Sequence, residues 1–260
     1  NITDSNERIK RSGIAPEAEL YYYRFEGCGP TRAFETAVAD GIDVINLSSS
    51  FGDEEQICDI DYDICNLNAT IKAAVDAGVL VTVSAGNLGG GEILPCSIAY
   101  PALRSEVIAV ASLESSVSGA EYHYLPRGLD SSYGPLTVRL RSGIYVETAG
   151  IDIAAPRTST LFFTYGYNNY STEDVGGTSF SAPIIAGNAG LMRDAWSSIG
   201  YPLTNARYLR VNLLLLGDGS NGTSTGYYVH QVSPKVGYGR IRNHWPSSSN
   251  LTYPWGWGWR

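Results

Sequence analysis

Apolar positions along this chain alternate between two periods. IDVINLS (42–48) and VLVTVSA (79–85) run apolar with few polar breaks, the pattern of short strands covered on both faces. TRAFETAVAD (31–40) and NATIKAAVDA (68–77) read as helices, each followed by a glycine, Gly41 or Gly78, where a left-handed cap residue is wanted. AELYYYRF (18–25) predicts a further strand at the start, and VIAVAS (107–112) another downstream. Strand and helix therefore alternate as βαβαβ, which implies an α/β fold with a mainly parallel sheet and helices on both faces. From about 113 to 150 the chain reads as loops and hairpins, TNARYLRVNLLLL (204–216) as another helix, and the Gly-, Ser-, Tyr- and Trp-rich stretch after Gly217 shows no clear period. No repeat or linker divides the chain, so 1–260 reads as one domain.

Open parallel sheets bind ligands at the carboxyl ends of their strands. Here those ends carry Ser48-Ser49-Ser50 and Ser84-Ala85-Gly86-Asn87. In GGTSFSAPIIAGNAG (176–190), Ser179 opens a helix predicted to run to about Trp196, with Pro183 placed in its first turn. A helix start favours negative charge nearby. A serine hydroxyl is nearly inert at neutral pH, so a nucleophilic role for Ser179 requires a base.

Composition narrows the partners. With 43% hydrophobic and 17% charged residues and no apolar run near 18 residues, the sequence predicts no membrane span. A net charge of −8 argues against nucleic acid, which needs clustered Lys and Arg. The four cysteines lack CxxC spacing and read as disulfides, Cys58 with Cys65 across a short loop and Cys28 with Cys96; buried free thiols are the alternative. Sequons at Asn1, Asn68, Asn169, Asn221 and Asn250 mark candidate glycosylation sites, whereas the one at Asn46 falls inside a predicted strand. Together these predict an extracellular or secreted protein, with Asn1 the start of a processed or truncated polypeptide. Asp59, Asp61 and Asp63 alternate in an acidic segment that could hold a structural calcium, although the glycine turn and distal glutamate of an EF-hand loop are missing and a solvated loop is the simpler reading. No cofactor is required by this chemistry.

Three segments resemble the subtilisin-like serine peptidases: GTSFSAP (177–183) is similar to that family's nucleophile motif, VTVSAGN (81–87) to the segment carrying its oxyanion asparagine, and DVINLS (43–48) to the strand lining its substrate cleft. GIAPEAELY (13–21), AYPA (99–102), IDIAAP (151–156) and VGYGR (236–240) extend the likeness in order. The resemblance implies a three-layer sandwich, Ser179 as nucleophile of an acyl-enzyme, and Asn87 as side-chain donor to the oxyanion. It also implies that Ser48, Ser49 and Ser50 pair with substrate backbone while Ser84, Ala85 and Gly86 wall the specificity pocket of a polypeptide substrate. Asparagine at 87 separates the chain from the acid-acting sedolisins, which usually carry aspartate there, and the resemblance gives Asp174 no role as base.

Two departures stand out. Ser-Ser-Ser-Phe-Gly replaces the family's usual Ser-Leu-Gly or Ser-Phe-Gly, which leaves specificity open. The family's aspartate and histidine motifs precede the region of GIAPEAELY and do not occur in this sequence; His123, His230 and His244 sit in unrelated contexts and read as surface or structural. The resemblance then implies a fold incomplete without an N-terminal fragment of the same precursor, which would bring the catalytic Asp and His, a central strand and its neighbouring helix. The alternative is a catalytically inactive, protease-derived extracellular structural or binding glycoprotein.

Overall fold

A computed structural model describes residues 13–51, 58–59, 61–89, 96–113, 115–118, 121–124, 130–134, 137–139, 145–147, 150–164, 170–201 and 204–217. Its centre is a four-stranded sheet built from β1 (Val44–Leu47), β2 (Leu80–Ser84), β3 (Ile108–Leu113) and β8 (Ile153–Pro156), in the order β1-β2-β3-β8. Every neighbouring pair is parallel, with registers such as Ile45 opposite Val81 and Ala111 opposite Ala154. The hairpins β4–β5 (Ser115–Ser118, Glu121–Tyr124), β6–β7 (Thr137–Arg139, Tyr145–Glu147) and β9–β10 (Thr158–Thr164, Tyr170–Gly176) are antiparallel.

Successive side chains of a strand point to opposite faces, and here both faces are apolar. Val81, Val83, Ala109 and Ala111 join one core with Phe34 of α1 (Gly29–Ala39) and Leu67, Ile71 and Ala74 of α2 (Leu67–Asp76). Leu80, Ile108, Val110 and Ile153 join the other with Ala182, Ile185, Ala189 and Met192 of α3 (Thr178–Ser198) and Leu209 and Leu213 of α4 (Ala206–Leu215). This is the helix–sheet–helix sandwich predicted from the unbroken apolar runs. Gly41 and Gly78 take φ of +75° and +98° after their helices, as the cap pattern requires.

Three expectations need correction. Residues 18–25 do not pair as a strand: Leu20 and Tyr22 are 94% and 91% exposed, although the segment is as aromatic as a strand should be. The missing ingredient is a neighbour, since isolated strands have nothing to bond to. Pro183 lies inside α3, in its second turn, because the helix begins at Thr178. Disulfides join Cys28 to Cys65 and Cys58 to Cys96, not Cys58 to Cys65 and Cys28 to Cys96.

Backbone contacts explain the disulfide pairing. Thr31 Oγ1 donates to the Cys65 carbonyl at 2.9 Å, bringing the start of α1, where Cys28 stands, to the start of α2. The Cys58 amide donates to the Ile98 carbonyl at 3.0 Å, placing Cys58 beside Cys96. Short sequence separation was a poor guide, because Cys58 and Cys65 are carried to different segments. Between them, the Tyr100 hydroxyl donates to Asp63 Oδ1 at 3.3 Å and Asn68 Oδ1 at 3.0 Å, while its ring meets that of Tyr62 edge-on. Burial, with Asp63 adding to it, pushes the Tyr100 phenol well above its ordinary pKa, so it stays a donor.

Candidate active site

The carboxyl ends of β1 and β2 and the start of α3 converge on a cleft of about 400 Å³. Its lining includes Ser48, Ser49, Ser50, Ser84, Gly86, Asn87 and Ser179, all singled out from the sequence, together with Leu88, Ala99 and Thr178. Ala85 does not belong to it. Its side chain is fully buried in the first core, and its backbone pairs with Val110 and Ala99. The alternation of a strand continues one residue past Ser84 and turns Ala85 inward, so a wall of three consecutive residues was too simple an expectation.

Asn87 is oriented by α3. Its Oδ1 accepts from the Thr178 amide at 3.0 Å and from Thr178 Oγ1 at 3.0 Å. Thr178 Oγ1 also accepts from the Gly86 amide at 3.2 Å, so one buried hydroxyl ties the Asn87 loop to the helix start. With its oxygen so engaged, Asn87, which lines the cleft, has its Nδ2 left without an acceptor among the described residues. The residue before the helix, Gly177, provides no side-chain cap, and Asn87 takes that role from another loop. Gly177 is required there: φ is +123°, and a Cβ would stand 3.0 Å from Asn87 Nδ2.

Ser179 is half-buried in the first turn of α3. Its amide belongs to the helix-start donors that lack a helical acceptor, and its Oγ has no partner among the described residues. Ser48 Oγ donates to the Ser179 carbonyl at 2.7 Å, and Asn46 Nδ2 donates in turn to Ser48 Oγ at 3.0 Å. Ser179 N–H and Asn87 Nδ2 are thus two donors without partners among the described residues, on residues that line one cleft with the Ser179 hydroxyl. Such a pair can stabilise charge developing on a carbonyl oxygen attacked by that hydroxyl.

Over residues 2–226 the sequence matches the model of the subtilase family. The chain belongs to the subtilase family. Among its curated relatives, Subtilisin Savinase of Lederbergia lenta is 28% identical over 208 residues, covering 76% of this chain and 63% of the relative. An alkaline protease of Alkalihalobacillus alcalophilus is 28% identical over the same length, covering 76% of this chain but 44% of the relative. The major intracellular serine protease of Bacillus subtilis is 30% identical over 166 residues, 60% of this chain and 49% of its own. The chain therefore spans about half to two thirds of these relatives. Among solved structures, the S41 psychrophilic protease aligns with TM-score 0.60 at 24% identity, covering 88% of this chain and 70% of that one; Sphericase gives 0.59 at 22%, with the same coverage. At these identities the likeness establishes the subtilisin-like fold.

The remaining candidates divide. His123 lies on β5, opposite Ser116, but its side chain, like all of His230 and His244, lies outside the described residues, as do Asn1, Asn169, Asn221 and Asn250. Asn68 is half-buried, with Nδ2 donating to the Tyr62 carbonyl at 3.1 Å and Oδ1 accepting from the Tyr100 hydroxyl at 3.0 Å. Asp59 Oδ1 accepts from the Asp61 amide and Asp63 Oδ1 from the Asn68 amide, both at 3.0 Å. No group of three or more metal-ligating side chains is found among the described residues, and no described helix is long and apolar enough to cross a membrane. Thr178 and Asn46 were missed as individual residues; one signal was available for Thr178, its place beside Ser179 in the nucleophile motif.

Proposed function

We propose that this subtilase is a serine endopeptidase that cleaves polypeptides through an acyl-enzyme on Ser179, with Asn87 Nδ2 and the Ser179 amide holding the oxyanion. Ser48, Ser49, Ser50, Ser84 and Gly86 contact the substrate. The observation carrying this reading is the locked Asn87 amide: two hydrogen bonds to Thr178 spend its oxygen and leave its donor end without a partner among the described residues, in the cleft that Ser179 also lines. The reading includes secretion, which the two disulfides favour.

The base and its orienting aspartate come, in this reading, from an N-terminal fragment of the same precursor bound to the chain. The course of residues 14–25 supports a companion strand. Ile14 packs on Gly187 of α3, and Phe25 meets Phe51 edge-on at 5.9 Å. The start of α3 is tied to the end of β1 by Ser48 and Ser179, and its Arg193 to the start of β1 by a 2.8 Å ion pair with Asp43. The helix therefore runs antiparallel to β1, with Ile14 against its middle and Phe25 against Phe51, beyond the end of β1. Yet residues 19–25 form no backbone bond with it among the described residues, and β1 is an edge of the sheet. The open edge of β1 and the unpaired segment 19–25 suit a further strand, since an open edge bonds whatever strand it is offered.

Native material treated with a fluorophosphonate probe tests the reading. Ser179 is expected to carry the label, and denaturing mass spectrometry to release a second polypeptide with histidine and aspartate. Assembled protein that leaves Ser179 unlabelled would be the inactive glycoprotein instead.

A further inference from the structure

Asn87 and Ser179 stand on separate loops, and a second linkage joins those loops away from the cleft. Arg157, between β8 and β9, donates from Nε to Asp130 Oδ1 and from Nη2 to Oδ2, each at 3.0 Å, a bidentate pair. The Asp130 carbonyl accepts from the Gly89 amide at 2.9 Å. Ser132, two residues on, donates its amide to the Gly86 carbonyl at 2.9 Å and accepts from the Leu88 amide at 3.1 Å. The segment from Asp130 to Ser132 thus grips the Asn87 loop at three points. On the other side, the Arg157 carbonyl accepts from the Gly177 amide at 3.3 Å, and its guanidinium lies where a Cβ on Gly176 would stand 3.0 Å from Nη1. The circuit closes through Thr178 and Asn87.

We propose that Asp130 and Arg157 are positioning residues that fix the spacing between the Asn87 amide and Ser179. Neither side chain lines the cleft, so neither is a catalytic residue. Their side chains are 34% and 29% exposed, and a pair reached by water contributes little to folding. Its value lies in geometry: oxyanion donors act by being in place beforehand, and a misplacement of about 1 Å costs about 100-fold in rate. The Arg157 guanidinium holds the Asp130 carboxyl below its ordinary range, so the carboxylate keeps its charge to lower pH than a free one.

This inference rests on the peptidase reading, and the experiment separates the two. Asp130→Asn and Arg157→Gln, made in the native assembled protein, are expected to lower kcat and the fluorophosphonate labelling rate about 10- to 100-fold, with KM and thermal midpoint little changed. In an Asn87→Ala background the same substitutions are expected to cost almost nothing more, because the pair acts through Asn87. The reversed pair, Asp130→Arg with Arg157→Asp, is expected to recover part of the rate. Undiminished kcat in the single variants, or an equal loss in the Asn87→Ala background, overturns the proposal. If the unsubstituted protein does not label, the peptidase reading fails, and the NMR resonance of the Asn87 side-chain amide decides instead. It is expected to shift in Asp130→Asn but not in the distant control Lys72→Gln; an unmoved resonance overturns the proposal.

Discussion

Ser48 and Ser179 are 131 residues apart in sequence and joined by a 2.7 Å hydrogen bond, from the hydroxyl of the first to the carbonyl of the second. The reason that carbonyl is free lies in the helix. A helical carbonyl receives the amide of the residue four positions on, which here is Pro183, and proline has no N–H. Ser48 supplies the missing donor from the end of β1 and thereby fixes the first turn of α3 against the sheet. Ser48→Ala leaves the carbonyl half-buried and unpartnered, a loss of about 1 kcal/mol. If that loss falls on the placement of Ser179, labelling by fluorophosphonate slows about five-fold. Stopped-time labelling of the two proteins measures it.

On the peptidase reading, Asn87→Ala removes one donor to the oxyanion, together with the two bonds its oxygen accepts from Thr178. The expected result is a fall in kcat of about 10² to 10³, the range observed for the corresponding donor in subtilisin, with KM little changed. Steady-state kinetics on a peptide substrate give both constants. An equal rise in KM with kcat preserved would mean that Asn87 binds substrate and not the transition state.

Gly177→Ala tests the same junction through the backbone. The alanine must adopt φ of +123° and place its methyl 3.0 Å from Asn87 Nδ2. Strain of this kind costs about 1–3 kcal/mol. Both the thermal midpoint and kcat are expected to fall, because relief of the strain moves Asn87, Thr178 or both.

The sheet and its helices were legible because their residues report burial directly: an apolar run such as 79–85 has no other place to go than the middle of a sandwich. The cleft was legible for a related reason, since Ser48, Asn87 and Ser179 end or begin regular elements whose order fixes where they meet. Residues 18–25 show the limit. Their composition states a capacity to pair, whereas pairing itself depends on a neighbour. The ties through Thr178, Pro183 and Asp130 were hidden as well, because each depends on which backbone group a distant loop leaves unsatisfied, and periodicity carries no such information.

Disulfide connectivity provides a chemical check on the fold. Peptide mapping without reduction is expected to recover Cys28 joined to Cys65 and Cys58 joined to Cys96. Each bridge closes a separation of 37 or 38 residues, and by the chain-entropy account removing one costs about 4 kcal/mol. Cys58→Ser with Cys96→Ser is therefore expected to lower the thermal midpoint markedly while sparing the first bridge. Recovery of a Cys58–Cys65 peptide would contradict the packing of α1 against α2.

Asp152 is the charged residue most deeply set in the described structure, its side chain 5% exposed at the start of β8. Its Oδ2 accepts from the Ala109 amide at 2.8 Å, and its Oδ1 from Arg210 Nη2 at 2.6 Å. Arg210 reaches down from α4, so this pair clamps that helix to the lower edge of the sheet. Deleting one partner of a buried pair strands the other charge, and that penalty exceeds what the pair itself contributes. Arg210→Leu is expected to destabilise by about 3 kcal/mol, the low end for such a loss, because Arg210 is 22% exposed and water partly replaces it. Asp152→Asn is expected to cost less, because it strands no buried charge: its oxygen keeps one of the two donors, its NH2 faces the other, and the partly exposed Arg210 turns to water. Chemical denaturation of the assembled protein orders the two variants. If Asp152→Asn proves the more damaging, the donor left facing the amide NH2 outweighs the stranded charge.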